Sequence, residues 1–184
     1  MKQTITRKGS FDSGHRVMNE RFKCFNFHGH TYLYELTFSW VEAGSLGYAV
    51  DFKEIKRIAC QWIDDILDHG FIANPQDEGS ITICKNAGTK LYLMNLAGEG
   101  KYCNPSAENI AKEIFYAVSV LMDKKDDTQF KLDKIVLHET PNCYVECSGL
   151  SEQERTTLFH SKLTADLLIY KSGKGEVEYD SRRV

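Results

Sequence analysis

Residues 15–30 contain the pattern that most constrains the fold of this chain: three histidines, two of them separated by a single glycine. After His28 and His30, bulky side chains recur at every second position, at Tyr32, Tyr34, Leu36, Phe38 and Trp40. Side chains at positions i and i+2 of a β-strand point to the same face. The pattern therefore predicts that His28 and His30 open a strand and project side by side.

A third histidine, His15, ends an earlier strand-like run and joins the pair if the two strands are neighbours. Three imidazoles with one open position are typical of catalytic rather than structural zinc. Zinc is the first choice for His15, His28 and His30, and ligand type alone leaves iron, nickel and copper open. Cys24, four residues before the pair, is a thiolate beside the metal, a fourth ligand or a small buried apolar residue.

The composition narrows the class of protein. A formal net charge of -3 gives no basic footprint, so no nucleic-acid partner is expected. No apolar run approaches the ~20 residues of a membrane-spanning helix, and the first residues lack the apolar stretch of a signal peptide. The six cysteines are then expected to be thiols in a reducing compartment. These features predict a cytoplasmic enzyme.

Hydrophobic periodicity predicts four main strands and two main helices. The strands are expected at residues 3–14, 28–42, 130–140 and 142–148, and the helices at about residues 51–67 and 106–122. Asp51 and Ser106 can each cap the first turn of their helix. Turns are predicted at residues 44–47 and 124–128.

Two segments fall outside this order. Residues 81–84 and 91–94 flank a turn at 85–88 and are typical of a β-hairpin. Beyond residue 150, the run at residues 163–170 predicts an added strand. The polar stretch at 171–184 is expected to fray.

A series of motifs in one order resembles the 6-pyruvoyl-tetrahydropterin synthase family over about residues 3–148. The motifs are Phe11-x3-His15, Cys24-x3-His28-Gly29-His30, Val50-Asp51-Phe52-x3-Lys56, Leu67-Asp68-His69, Asn104-Pro105-Ser106-Ala107-Glu108-Asn109 and His138-Glu139-Thr140. Several motifs in the correct order are far more specific than any one of them.

The resemblance implies an α+β tunnelling fold (T-fold), in which a four-stranded antiparallel sheet carries two helices on one face. Sheets of neighbouring subunits join into a barrel, commonly as a homo-hexamer built from two trimers, with active sites at subunit interfaces. The resemblance also divides the chain. Residues 1–150 form the pterin synthase domain, with an insertion at about 71–103 that the family usually lacks, and residues 151–184 form a C-terminal extension.

The resemblance implies that zinc is held by the three histidines and that Cys24 is the catalytic base beside it. A nearby cation favours the thiolate form of a cysteine. Asp68 and His69 provide a second acid/base unit, since an imidazole shuttles protons near neutral pH. Their simpler interpretation is a helix C-terminus, where a histidine interacts favourably with the helix dipole.

Glu139 is the implied anchor of the pterin ring and a partner of His69 in proton transfer. An ionised carboxylate can accept hydrogen bonds from two adjacent N–H groups of a pterin. Thr140 and Ser106 are expected to hydrogen-bond the ring as well. For the triphosphate of the substrate, the candidate cations are Arg16, Arg21 and Lys23.

The expected substrate, from the resemblance, is 7,8-dihydroneopterin triphosphate. Three residues separate Cys24 from His28, as in the 6-carboxytetrahydropterin synthases of 7-deazaguanine (queuosine) biosynthesis, whereas eukaryotic pyruvoyl synthases tend to have five. The expected products are therefore 6-carboxytetrahydropterin, acetaldehyde and triphosphate. The alternatives are a 6-pyruvoyl product and a non-catalytic zinc-stabilised pterin-binding module. The presence of Cys24, His69 and Glu139 together argues against the module.

Overall fold

The computed structural model of the chain describes residues 1–18, 21, 23–43, 47–96, 103–123 and 130–173. The predicted turn at 124–128 lies outside these ranges. So do residues 44–46 of the turn at 44–47 and all but the first three residues of the predicted polar tail.

A six-stranded sheet forms the centre of the described structure. Its strands are β1 (Gln3–His15), β2 (His28–Trp40), β3 (Gly70–Ala73), β4 (Leu91–Leu93), β5 (Lys131–Thr140) and β6 (Cys143–Cys147). They lie in the order β4-β3-β1-β2-β5-β6. The four predicted strands, β1, β2, β5 and β6, are antiparallel neighbours, and β3 and β4 extend the β1 edge in parallel.

The first predicted helix is one continuous helical segment, made of α1 (Phe52–Ile55), a π-helical stretch (Lys56–Cys60) and α2 (Gln61–Ile66). The others are α3 (Glu78–Ala87), α4 (Ala107–Met122), α5 (Glu152–Phe159) and α6 (Lys162–Gly173). The predicted caps are confirmed: the Asp51 side chain accepts from the amide of Lys53, and Ser106 from that of Asn109.

One face of the sheet is buried. Phe11 on β1 pairs with Tyr32 on β2, and from there the odd residues of β1 and the even residues of β2 point to the same side. The core on this side also contains Ile63 of α2 and Ile114 of α4, so both main helices cover one face. The α+β class is confirmed.

The predicted hairpin at residues 81–94 is wrong. Residues 81–84 lie inside α3, whose N-cap is Asp77, and the helix ends at Gly88 in the left-handed conformation at φ 66°. β4 is a strand as expected, but it pairs in parallel with β3 rather than folding back on residues 81–84. The β-branched residues of this segment resembled a strand, but the capping signals at both ends determined the outcome.

The segment at residues 92–96, within the predicted insertion, is fastened to α4 by a buried carboxylate. Glu113 is almost fully buried and accepts hydrogen bonds from the Tyr92 hydroxyl at 2.6 Å and from the amides of Asn95 and Leu96. Burial raises the pKa of Glu113, and these hydrogen bonds oppose that rise. A buried acceptor is stable only when such donors satisfy it.

The predicted strand at residues 163–170 is also wrong, because these residues lie in α6. Leu163 and Leu167, four positions apart, are both buried and share one helical face. The extension packs on α4, where Lys112 contacts Glu154 at 2.5 Å and the Tyr116 hydroxyl hydrogen-bonds Thr164 at 2.8 Å. None of the helices in the described ranges has the length and apolarity needed to cross a membrane.

Candidate active site

Strand register brings the three histidines together. His15 lies opposite His28, and Ser13 lies opposite His30, so all three imidazoles share the buried face of the sheet. Their ring centroids are 4.4 Å apart for His15 and His28, 5.3 Å for His15 and His30, and 5.1 Å for His28 and His30. Ligand nitrogens on all three lie within 4.8 Å of one another, which makes a potential metal site.

Backbone carbonyls orient two of these rings. The Nδ1 atom of His15 lies 2.7 Å from the carbonyl oxygen of Pro105, and that of His28 lies 2.8 Å from the carbonyl oxygen of Asn26. A carbonyl only accepts hydrogen bonds, so Nδ1 is the protonated nitrogen in both rings. In the neutral rings, Nε2 is left with a lone pair, as in most metal-binding histidines.

His15 is the deepest of the three, at 1% exposure. Burial lowers the pKa of its imidazole to about 4. The hydrogen bond to Pro105 acts to raise this pKa, and the charges of His28 and His30 act to lower it. The ring is therefore neutral at pH 7. Its Nε2 has no hydrogen-bond partner and lies 3.6 Å from Oε1 of Glu139. Two hydrogen-bond acceptors that face each other with no hydrogen-bond donor between them fit a bound cation. Imidazole nitrogens and a carboxylate oxygen are ligands that suit zinc.

Glu139 lies at an irregularity in β5. The register between β5 and β6 shifts between His138 and Thr140, so Glu139 has no partner on β6. Such β-bulges often direct a side chain beside an active site. The carboxylate is 28% exposed and reaches the edge of the histidine cluster, where it can accept hydrogen bonds from a ligand.

Thr140 follows Glu139 and is half-buried. Ser106, the other residue expected to bind the pterin, is placed differently: its hydroxyl caps α4 by accepting from the amide of Asn109 at 3.4 Å. Ser106 directly follows Pro105, whose carbonyl orients His15. This serine therefore lies beside the cluster with its hydroxyl already engaged by the helix.

Cys24 lies in a short 3-10 turn (Lys23–Phe25) and is half-buried. Its carbonyl accepts a hydrogen bond from the amide of Val17 at 2.8 Å, which closes the loop between β1 and β2. Asn104 holds the same loop, because its side chain bonds both the amide and the carbonyl of Met18 at 3.0 Å. The Asn-Pro-Ser motif thus supports both His15 and the cysteine loop.

Asp68 and His69 form a second cluster. The Nδ1 atom of His69 lies 2.5 Å from Oδ2 of Asp68, whose other oxygen accepts from the amide of Asp12 at 2.7 Å. The hydrogen bond with Asp68 and its charge raise the pKa of His69. His69 has a positive φ of 54°, and α2 ends at Ile66, so the pair lies beyond the helix end. Asp68 therefore orients His69, as an acid/base unit requires.

A cleft of about 420 Å³ is lined by one histidine of each cluster, His30 and His69. Its other lining residues are Asp12, Ser13, Gly14, Gly29, Thr31 and Gly70. Gly14 and Gly29 are cross-strand partners. A Cβ at Gly14 would lie 2.9 Å from the Phe71 ring and one at Gly29 would lie 3.0 Å from the Ser13 carbonyl oxygen, so the close packing here favours glycine at both positions.

Other residues around the site carried little signal in the sequence. The hydroxyl of Tyr32 is buried without a hydrogen-bond partner, and its ring makes edge contacts with those of His15 and His30. The carbonyls of Pro105 and Asn26 belong to the backbone, so their role in orienting the histidines cannot be predicted from residue type. Tyr32 had a detectable signal, since it lies two positions after His30 on the same strand face.

The expected triphosphate ligand Arg16 has another partner. Its guanidinium makes a two-point ion pair with Asp77. Arg21 and Lys23 are exposed, and their part in binding phosphate stays a prediction.

Comparison with known proteins settles the family. A model of the 6-pyruvoyl tetrahydropterin synthase family matches residues 4–150. The chain belongs to this family. A 6-carboxy-5,6,7,8-tetrahydropterin synthase of Rickettsia felis is 36% identical over 146 residues, which cover 77% of this chain and 96% of the relative. A 6-pyruvoyl tetrahydrobiopterin synthase of Dictyostelium discoideum is 29% identical over 94 residues, or 45% of this chain and 70% of the relative.

Solved structures agree on the fold. A Caenorhabditis elegans 6-pyruvoyl tetrahydropterin synthase matches 82% of this chain and 97% of its own, with a TM-score of 0.56 and 21% identity. An uncharacterised Wolinella succinogenes protein matches 82% of this chain and 99% of its own, with a TM-score of 0.66 and 17% identity. The predicted tunnelling fold is confirmed for the single chain, as is the expectation of an enzyme, a lyase of the tetrahydropterin synthase type.

Proposed function

We propose that this chain converts 7,8-dihydroneopterin triphosphate into 6-carboxy-5,6,7,8-tetrahydropterin, acetaldehyde and triphosphate in a zinc-dependent reaction of 7-deazaguanine biosynthesis. The observation that carries the proposal is the cluster of His15, His28 and His30 beside Glu139. A cleft lined by both His30 and His69 supports a role for the acid/base pair in the same reaction.

Two observations favour the carboxy product over the pyruvoyl product. Three residues separate Cys24 from His28, which is the spacing expected of the carboxy synthases. Relatives of Rickettsia and Haemophilus with the carboxy name match 77% of this chain at 31–37% identity, whereas the match to the pyruvoyl synthase of Dictyostelium covers 45% of it. The pyruvoyl reaction is the second candidate, because the family model has that name.

Three imidazoles with ligand nitrogens within 4.8 Å of one another fit a zinc ion, which, when bound, would stabilise negative charge on the substrate's side-chain oxygens. The protein fixes the ligands in advance, since His15 and His28 are each oriented by a backbone carbonyl. Burial keeps His15 neutral, so no proton competes for its lone pair at pH 7.

Proton transfer falls to Cys24 and His69. The thiolate of Cys24 accepts a carbon-bound proton from the substrate side chain, because its loop lies between the two strands that carry the metal ligands. His69, held by Asp68 through Nδ1, keeps Nε2 available for a second proton exchange. The hydrogen bond to Asp68 raises the pKa of His69, which favours the protonated form that can donate a proton.

Recognition of the ring falls to Glu139. Its carboxylate can accept the two adjacent N–H groups of the pterin edge, and partial burial strengthens such charge-assisted bonds. Thr140 lies next to it and supplies a further hydroxyl. Ser106 can still serve the ring through its O–H group and the second lone pair, which the cap leaves free.

Product analysis tests the reaction. The purified protein is incubated with dihydroneopterin triphosphate, and products are identified by mass spectrometry. The proposal predicts 6-carboxytetrahydropterin with acetaldehyde; a 6-pyruvoyl product supports the second candidate, and a bound but unchanged substrate supports a non-catalytic module. Cys24→Ala should retain zinc and lose most turnover, whereas loss of zinc in that variant would make Cys24 a ligand rather than the base.

A further inference from the structure

Arg16 and Asp77 form a two-point ion pair between the metal-binding strands and the inserted segment. Nε of Arg16 lies 2.5 Å from Oδ2 of Asp77, and Nη2 lies 2.7 Å from Oδ1. Asp77 is 3% exposed, so the pair is largely shielded from water. Hydrogen bonds of this planar, two-point kind fix orientation as well as distance.

The same guanidinium supports the loop that carries Cys24. Its central carbon lies 5.0 Å from the ring centroid of Phe25 and 5.2 Å from that of Phe27. Both distances are in the range of a cation–π contact. Phe25 directly follows Cys24, and Phe27 directly precedes His28. The two phenylalanines are therefore the first and last of the three residues that connect the cysteine to the metal ligand.

Asp77 is itself held in place. It is the N-cap of α3, where Oδ1 accepts from the amide of Ser80 at 3.1 Å and Oδ2 from the hydroxyl of Ser80 at 2.5 Å. Partial burial acts to raise the pKa of Asp77, but the hydrogen bonds from Arg16 and Ser80 outweigh it and lower the pKa. The carboxylate is therefore charged at neutral pH and fixed by the helix.

We propose that α3 of the inserted segment positions Cys24, and that Asp77 and Arg16 are the positioning residues. Asp77 fixes the guanidinium, and the guanidinium fixes the two phenylalanine rings that follow the cysteine. This inference rests on the proposed function only in naming Cys24 as the base. It gives the insertion at about 71–103 a role: it provides a rigid support for the loop beside that of Asn104, whose Oδ1 accepts a hydrogen bond from Asn74 of the same segment at 2.9 Å.

Asp77→Asn is the sharpest test variant. Asparagine is as good an N-cap as aspartate, so α3 keeps an oxygen for the Ser80 amide while the charge toward Arg16 is lost. Arg16→Lys is the second variant, because it keeps the positive charge and loses the planar guanidinium. Glu78→Gln is the matched control: it removes one negative charge from the exposed first turn of the same helix.

The measurement is the rate at which iodoacetamide alkylates Cys24 in the zinc-loaded protein, followed by peptide mass spectrometry. Cys143 is exposed on β6 and serves as the internal reference in every sample. Zinc per subunit is measured alongside. We expect Asp77→Asn and Arg16→Lys to raise the Cys24 rate about fivefold or more at unchanged zinc content, with the Cys143 rate and the Glu78→Gln variant unchanged.

An unchanged Cys24 rate in both variants would overturn the proposal. Loss of zinc in Asp77→Asn would also overturn it, because the pair would then support the histidine cluster rather than the cysteine loop. An equal rise in the Cys24 and Cys143 rates would indicate general unfolding and would count against it. Alkylation does not depend on turnover, so these outcomes are independent of whether the proposed reaction occurs.

Discussion

At the scale of single residues, the candidate site brings together polar groups that do not satisfy one another. Nε2 of His15 and the carboxylate of Glu139 face each other, and the hydroxyl of Tyr32 is buried nearby without a partner. An unsatisfied buried polar group costs ~1–3 kcal/mol. A folded protein retains such groups where a ligand completes them, so the arrangement fits a site that binds a cation and a polar substrate.

Glu139→Gln tests the ring-binding part of the site. Glutamine keeps the size of the side chain but offers one acceptor oxygen and presents an amide donor to the donor edge of the pterin. A mispaired polar contact of ~1–3 kcal/mol corresponds to roughly tenfold weaker pterin binding or more. Calorimetric titration with the pterin measures this, and zinc content should stay constant. Glu146→Gln on β6 is the control, and equal affinity in both variants would refute the role of Glu139.

Asp68→Asn tests how Asp68 controls His69. The asparagine oxygen can still accept from the amide of Asp12, but the negative charge that raises the pKa of His69 is gone. The pKa of His69 should therefore fall toward its ordinary value, and His69 should lose its proton at lower pH than in the wild type. NMR titration of the His69 ring measures this, with His138 as the reference. An unchanged midpoint would mean that Asp68 does not set the proton affinity of His69.

At the scale of elements, the capping residues determined which segments became helices. The spacing of apolar residues predicted the main strands and both main helices, and Asp51 and Ser106 marked their starts. The same signals are present around α3, with Asp77 before it and Gly88 after it, but the prediction followed the β-branched residues at 81–84 and was wrong. In α6, the buried residues Leu163 and Leu167 are four positions apart, which is a helical spacing.

Glu154→Gln tests how α5 is attached. The hydrogen bond from Lys112 lowers the pKa of Glu154 to about 2; burial opposes this shift, and the hydrogen bonds from Ser151 add to it. A carboxyl with a lowered pKa stabilises the fold above its unfolded pKa, and this contribution is lost as the pH falls through the folded value. After allowance for partial exposure, the variant should lose about 1 kcal/mol of unfolding free energy at pH 7.

Glutamine can still complete the capping box with Ser151, so the loss in Glu154→Gln reports the contact with Lys112. Urea denaturation at several pH values measures the difference from wild type. It should be constant above about pH 4.5 and shrink toward zero as the pH falls to about 2. Glu152→Gln, in the exposed first turn of α5, is the control. A difference that grows with acidity would contradict the assignment.

At the scale of the whole molecule, the sequence predicted the antiparallel sheet and its covered face, but it did not predict the tertiary contacts across the sheet. His15, His28 and His30 were predictable as neighbours because strand alternation and pairing are local rules. The contact of His15 with the Pro105 carbonyl joins residues 90 positions apart, and the bulge at Glu139 depends on how β5 pairs with β6. Such contacts follow from packing, which one sequence does not reveal.

The predicted barrel of several subunits stays a prediction, and the structure offers two strands for it. β4 and β6 are the outer strands of the sheet and leave backbone groups available for pairing. We expect light scattering to give three or six times the 21.0 kDa mass of one chain, with six as the expected homo-hexamer. A stable species of one chain mass at micromolar concentration would contradict this expectation.

The most direct test of the account is the zinc content of single histidine variants. The account predicts one zinc per subunit in the wild type and a large loss in His15→Ala, His28→Ala and His30→Ala, because each removes one of three ligands. His138→Ala, on β5 outside the cluster, should keep its zinc. Elemental analysis of the purified proteins measures this. Full zinc occupancy in all three cluster variants would contradict the metal centre on which the proposed reaction depends.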